Sequence, residues 1–307
     1  MKRLQNRIAE SGFLLPVMSL FGIGVWLLSG LITQHWWPQL ACFILSAYLM
    51  VELNNSNALL RVRSRMVSAV FIALTCTASF MFASLTGALV QLFAIVVLLL
   101  LLSTYQAPMA LGRIFYAFVQ IGLASIFFVQ ILYFVPLLWL LMATQLQSLS
   151  WRGIMASLIG LVVPYWFFSL WFIYQRDFTY LGEHFCALAT FAPLSLHFAS
   201  INPGHWLAYG LLTLLTVTGI VHFWRNSIEE KIRIRLLYGF FAWMTLATLL
   251  FVVLQPQHYD PLMRIAIITA SPLIAHFLTL TSSKVTNIAF FLIAAITLAI
   301  TVFNIIA

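Results

Sequence analysis

The sequence predicts an all-α, polytopic transmembrane helix bundle of about eleven spans (ten to twelve), and three observations predict it. Of 307 residues, 63% are hydrophobic and only 7% are charged. Mean hydropathy is +1.04. Runs such as 89–102 are almost continuously apolar, with none of the polar–apolar alternation of a membrane barrel. A soluble domain is nearer a quarter charged, and a disordered chain lacks this much Leu, Ile, Val and Phe. At roughly 20 residues per crossing, the length is used up by about eleven helices and short loops. A single domain over 1–307 is expected.

The elements follow in order. Residues 1–10 are polar and carry Lys2, Arg3 and Arg7. The run behind them, 11–33, has no small-residue cleavage site and is expected to stay as a first helix. Further apolar runs at 38–53, 66–83 and 87–104 give three more spans. The stretch 114–147 is too long for one crossing and short for two, with Gln130 and Pro136 near its middle. Runs at 153–174, 205–224, 236–254, 263–281 and 287–306 complete the set.

Charge orients them. With the amino-terminal segment inside, thirteen of the fifteen Lys and Arg fall in inner segments: Lys2, Arg3, Arg7, Arg61, Arg63, Arg65, Arg113, Arg152, Arg225, Lys231, Arg233, Arg235 and Lys284. Only Arg176 and Arg264 fall outside. Basic loops resist translocation, so this partition supports the orientation, with the carboxy-terminal segment outside. It also requires an even number of crossings between Arg113 and Arg152, hence two short helices in 114–147. The same count denies a full crossing to 183–203, which is expected to be re-entrant or to lie on the outer surface. The net charge of +8 therefore reports membrane topology, and nucleic acid is not an expected partner.

Three clusters carry candidate chemistry. At the inner end of the second span stand Glu52, Asn54, Asn55 and Asn57, followed by Arg61, Arg63 and Arg65. Amides beside guanidinium forks suit a lipid phosphate, and equally suit a polar turn anchored at the inner surface. In the long outer segment lie Arg176, Asp177, Glu183 and His184, where carboxylates and imidazole are candidate acids or bases. At the start of the 263–281 span, Asp260 precedes Arg264 by one helical turn, close enough to pair. A charge so far into an apolar run needs a carboxylate or a wet pocket. These last two groups are expected to converge over an outer cavity, with 183–203 as its cover.

Cofactors and metals are not expected. Cys42, Cys76 and Cys186 have no short spacing, and the seven histidines show no i, i+4 pair. No phosphate-binding loop, dinucleotide fingerprint, haem-attachment motif or nucleophile elbow is present.

The middle of the chain carries a resemblance. Gly122-Leu123-Ala124, Pro136-Leu137-Leu138, Leu149-Ser150-Trp151-Arg152 and Gly160-Leu161-Val162-Val163-Pro164-Tyr165, with the Asn-rich turn before Arg61, resemble an uncharacterised family of Bacteroidetes polytopic integral membrane proteins, a domain of unknown function. About a third of the chain is also similar to C-type glycosyltransferases that use polyprenyl-phosphate sugars. That class holds an acidic residue in a long first outer loop. Here the loop is Gln34-His35-Trp36-Trp37-Pro38, so no catalytic carboxylate is carried over. The resemblance implies a bacterial inner-membrane protein that handles a lipid-linked envelope glycan on such a scaffold, with or without activity of its own. Membrane lipids, a polyprenyl-phosphate-linked glycan and other membrane proteins are the partners it implies. A non-catalytic subunit of an envelope complex, or a transporter or flippase, stand as alternatives.

Overall fold

The computed structural model describes residues 3–175, 179–190 and 202–306. Among them there are thirteen α-helices and no strand. In chain order these are α1 (Leu4–Ala9), α2 (Leu14–Leu28), α3 (Trp37–Asn57), α4 (Met66–Thr77), α5 (Leu85–Leu102), α6 (Leu111–Phe127), α7 (Phe134–Thr144), α8 (Trp151–Gln175), α9 (Thr179–Ala189), α10 (Pro203–Asn226), α11 (Ile232–Leu254), α12 (Tyr259–Leu280) and α13 (Lys284–Ile306). Each of the eleven apolar runs of the sequence has its own helix. Two helices, α1 and α9, have no counterpart among those runs.

Local chemistry sets several of the boundaries. Ser84 caps α5, its Oγ accepting from the Gly87 N–H at 3.0 Å. Asn202 does the same for α10, accepting from Gly204 at 3.0 Å, with Pro203 in the first turn. α3 starts at Trp37-Pro38 and stops at Ala58, which takes the left-handed conformation (φ 47°). The disputed stretch 114–147 is two helices. α6 ends at Phe127, a 3₁₀ turn covers Val129–Tyr133, and α7 follows. Of the segment 183–203, residues 183–189 form part of α9, Asn202 and Pro203 open α10, and 191–201 lie outside the described residues.

The bundle is built around α12. Its residues 262–276 are buried without a break, and α4, α5, α10 and α11 pack round it. A helix apolar on every side has to be enclosed in this way. Around it the core is aromatic: Trp26 stacks on Phe82 at 3.9 Å, and Phe223 on Tyr238 at 4.7 Å. Small residues bring helices close. An added Cβ at Gly160 would lie 2.5 Å from the Phe115 carbonyl, and one at Gly122 2.8 Å from that of Leu161, which seats α8 on α6.

The outward faces are apolar too. Leu20 is 71% exposed, Phe167 68% and Ile288 67%. Among the described residues, six helices are long and apolar enough to cross a membrane: α5, α8, α10, α11, α12 and α13. An all-helical chain that turns such faces outward is a membrane protein.

The ends of the bundle differ in charge. Arg61 meets Glu229 and Glu230, Arg233 lies over Tyr105, Arg113 donates to the Ser103 carbonyl, and Ser150 to that of Pro108. Gln5 of α1 donates to the Leu278 carbonyl at the end of α12. These contacts place the loops bearing Arg61, Arg63, Arg65, Arg113, Arg152, Arg225, Lys231, Arg233, Arg235 and Lys284 at one end, together with α1. At the opposite end Asn304 donates to the Thr77 carbonyl, and Phe80, His205 and Tyr259 form one aromatic group.

Candidate functional site

At the lightly charged end, Arg264 sits one turn inside α12 and is 4% exposed. Its Nε donates to Asp260 Oδ1 at 2.8 Å, its Nη1 to Gln91 Oε1 at 3.2 Å, and its Nη2 to the Met81 carbonyl. A buried cation persists only when its donors are engaged in this way. Gly87 makes the arrangement possible, because a Cβ there would lie 2.8 Å from Arg264 Nε. The Asp260–Arg264 pair was legible in the spacing. The partners Gln91 and Met81, from 173 and 183 residues away, were not.

Asp260 opens onto a cleft of about 710 Å³ lined by Phe80, Met81, Ala83 and Ser84 on one side, Asn202 and His205 on a second, and Pro256, Gln257 and Tyr259 with Asp260 itself on a third. Its wall is an aromatic stack. The ring centroids of Phe80 and His205 lie 3.9 Å apart and those of His205 and Tyr259 4.8 Å, while Tyr259 Oη donates to the His205 carbonyl at 2.7 Å. Asp260, with 28% of its side chain exposed, offers carboxylate oxygens beside the amides of Asn202 and Gln257 and the hydroxyl of Ser84. Flat aromatic faces next to a fixed carboxylate and amides can stack on the C–H face of a sugar and bond its hydroxyls. The sequence places Gln257 and Tyr259 in the polar run before Pro261 and His205 among the outer-side histidines, but it does not disclose Phe80 or the stack. The clustering of His205 and His258 at one end was the signal available.

Of the first outer group, the described Glu183 and His184 lie apart from the cleft that Asp260 lines. α9 packs on the 3₁₀ turn before α7, where Gln130 Nε2 donates to the Ala187 carbonyl at 3.4 Å and Tyr133 Oη to that of Leu188. His184 Nε2 lies 3.3 Å from Tyr165 Oη of α8, and burial lowers the pKa of its imidazole. Neither Glu183 nor His184 lines the cleft. The reason is the docking of α9 against α8, which takes its residues away from the start of α12. Arg176 and Asp177 lie outside the described residues.

At the basic end the Asn/Arg turn is largely bonded to the protein itself. Asn54 Nδ2 donates to the Ser64 carbonyl at 3.0 Å, and Asn57 Nδ2 to that of Leu53 at 3.0 Å. Arg65 Nη1 donates to Asn55 Oδ1 at 3.2 Å, and Arg233 Nη2 to Asn57 Oδ1 at 3.4 Å. Arg61 Nε donates to Glu230 Oε1 at 2.6 Å, and its Nη groups reach Glu229 Oε2 at 3.3 Å. Glu230 is buried and also lies 3.2 Å from His276 Nε2. Arg63 is exposed and has no bonded partner among the described residues. Glu229 and Glu230 were missed, since their partnership with Arg61 spans 168 residues or more, and so was His276, whose contact with Glu230 spans 46. An acidic pair inside an otherwise basic loop was the one hint. Among the described residues no group of three His, Cys, Asp or Glu is placed to hold a metal ion.

No family model, curated protein or solved structure matches the chain.

Proposed function

We propose that this chain is a multi-pass protein of the bacterial inner membrane that handles a lipid-linked envelope glycan, binding its saccharide in the Asp260 cleft. The observation that carries the reading is the juxtaposition of the Phe80–His205–Tyr259 stack with the Asp260 carboxylate, which Arg264 holds from behind. Stacking surfaces flanked by fixed acceptors and amides suit a polyol ring better than an apolar ligand. The thirteen-to-two division of Lys and Arg supports an outer cleft and an inner Asn/Arg turn on an eleven-crossing topology. The weak similarity of the middle region to C-type glycosyltransferases supports the same substrate class, a polyprenyl-phosphate sugar.

The test is thermal stabilisation of the purified protein in nanodiscs by a polyprenyl-phosphate monosaccharide, with the unglycosylated polyprenyl phosphate as comparison. A saturable upward shift with the sugar-bearing lipid alone is expected, lost in Phe80→Ala and in Gln257→Ala. Equal shifts with both lipids, or no shift with either, would overturn the reading.

A further inference from the structure

A second cavity lies at the other end of the bundle, away from the saccharide cleft. It holds about 230 Å³ and is walled by one face each of α2, α4 and α13, with Leu215 of α10 and Ile274 and Leu278 of α12 completing the lining. α4 contributes Met66, Ala69, Val70, Ala73 and Leu74, α2 contributes Leu14, Met18 and Phe21, and α13 contributes Phe290, Ile293, Ala294, Thr297 and Leu298. The spacings i, i+3, i+4, i+7 show that each helix turns a continuous stripe into the groove. The hydroxyl on these walls, Thr297, donates to its own helix at the Ile293 carbonyl at 2.7 Å, so the lining presents hydrocarbon only. Ala294 and Leu298 are exposed, so the groove opens sideways between α2 and α13, toward where lipid would lie.

Two features on the page say what covers it. The first is depth. From Met66 to Leu74 the groove runs eight residues along α4, about 12 Å at helical rise, against about 15 Å for one leaflet of hydrocarbon. The second is charge at its mouth. Each wall helix has a cation at the basic end: Arg7 ahead of α2, Arg65 ahead of α4 and Lys284 at the start of α13. Arg7 and Lys284 are exposed, and neither pairs with a carboxylate among the described residues. We infer that this groove binds one acyl chain of an anionic phospholipid of the adjoining leaflet, with the phosphate held at the rim by Arg7 and Lys284.

The site is independent of the glycan reading, and the experiment separates the two. The full chain is reconstituted into vesicles of phosphatidylglycerol and phosphatidylethanolamine in equal amounts, extracted in mild detergent, and its retained lipid is measured by mass spectrometry. The parent protein should retain phosphatidylglycerol in preference. Ala294→Trp, which fills the groove from its open side, should abolish that retention. Arg7→Gln with Lys284→Gln, both exposed and safe for folding, should weaken it by about five-fold per cation removed. Unchanged retention in the double variant overturns the proposal even if Ala294→Trp fails to fold. Loss of both lipids together in Ala294→Trp, with no effect of the charge variant, would mean a neutral tail and likewise overturn it. So would a parent dimer that Ala294→Trp converts to a monomer without change in lipid, because the groove would then belong to a second copy.

Discussion

Arg264 shows how one side chain can organise an end of the bundle. It is buried, its guanidinium binds a carboxylate, an amide and a main-chain carbonyl, and Gly87 leaves room for it. Removing one partner of a buried pair strands the other, at a cost of about 3 kcal/mol, whereas replacing both by neutral groups of similar size can be nearly free. Asp260→Asn should therefore lower the melting temperature in detergent more than Asp260→Asn combined with Arg264→Met. A double variant less stable than the single one would refute that account. Gly87→Ala should behave like Asp260→Asn, by pushing Arg264 away from its acceptors. His184 offers a second residue-scale test. Burial lowers its pKa, so the docked α9 favours neutral imidazole, and a free α9 takes up protons more readily. The contribution is intact at neutral pH and is lost as pH falls below about 6.5. Hydrogen-exchange protection factors in α9, corrected for the slower intrinsic exchange in acid, should fall on acidification in the parent protein and not in His184→Phe. An equal fall in both would assign the effect elsewhere.

Among the elements, what the sequence disclosed and what it hid divide by the range of the interaction that made them. Eleven apolar runs are local signals, and each has its helix, although α2 stops at Leu28 and α4 at Thr77, short of the expected ends at 33 and 83. The two-helix reading of 114–147 came from charge alone and agrees with the break at Phe128. α1 is six residues long with Gln5, Asn6 and Arg7 among them, and it is held by bonds to the end of α12 that no local pattern encodes. α9 is missing from the apolar runs because its Glu183 and His184 break them. In the site, Asp260 and Arg264 were legible as neighbours one turn apart. The aromatic stack was not, since Phe80, His205 and Tyr259 come from three separate helix ends. The glycines at the α6–α8 contact had a sequence signal, small residues in apolar helices, whose pairing only the fold reveals. Their closeness sets a prediction. Gly160→Val puts branched carbons where a Cβ would already lie 2.5 Å from the Phe115 carbonyl, and should cost about 1–3 kcal/mol by forcing α8 off α6. Gly112→Val, with open space at its Cβ, is the control and should cost far less. Similar melting temperatures for the two variants would show that the close approach is unimportant.

For the molecule as a whole, the question is how many of these helices cross. Six are long and apolar enough alone, whereas α4 and α7, at twelve and eleven residues, are about 18 and 17 Å long. Each is lengthened by a 3₁₀ segment in line with it in sequence, Ser79–Met81 after α4 and Val129–Tyr133 before α7. Counted with about 2 Å per 3₁₀ residue, the two reach roughly 24 and 26 Å, within what tilting and local thinning of a hydrocarbon layer of about 30 Å accommodate. Their burial fits as well: α4 has eleven of its twelve residues buried, so neighbouring helices carry its short ends. Crossings by α4 and α7 keep the basic loops together. Were α7 not to cross, Arg152 would lie on the opposite side from Arg113, yet Ser150 bonds the Pro108 carbonyl and Gln106 the Leu146 carbonyl at one end of the bundle. We therefore expect reporter fusions after Arg152 and after Arg235 to read cytoplasmic, and a fusion behind α13 to read external. A fusion in the loop between α6 and α7, at Phe128, should read external and so isolates this pair. A cytoplasmic signal there would reduce 114–147 to a hairpin that never crosses, leaving nine spans with the same charge partition. An external signal after Arg152 would break the partition itself and, with it, the placement of the Asp260 cleft at the outer face.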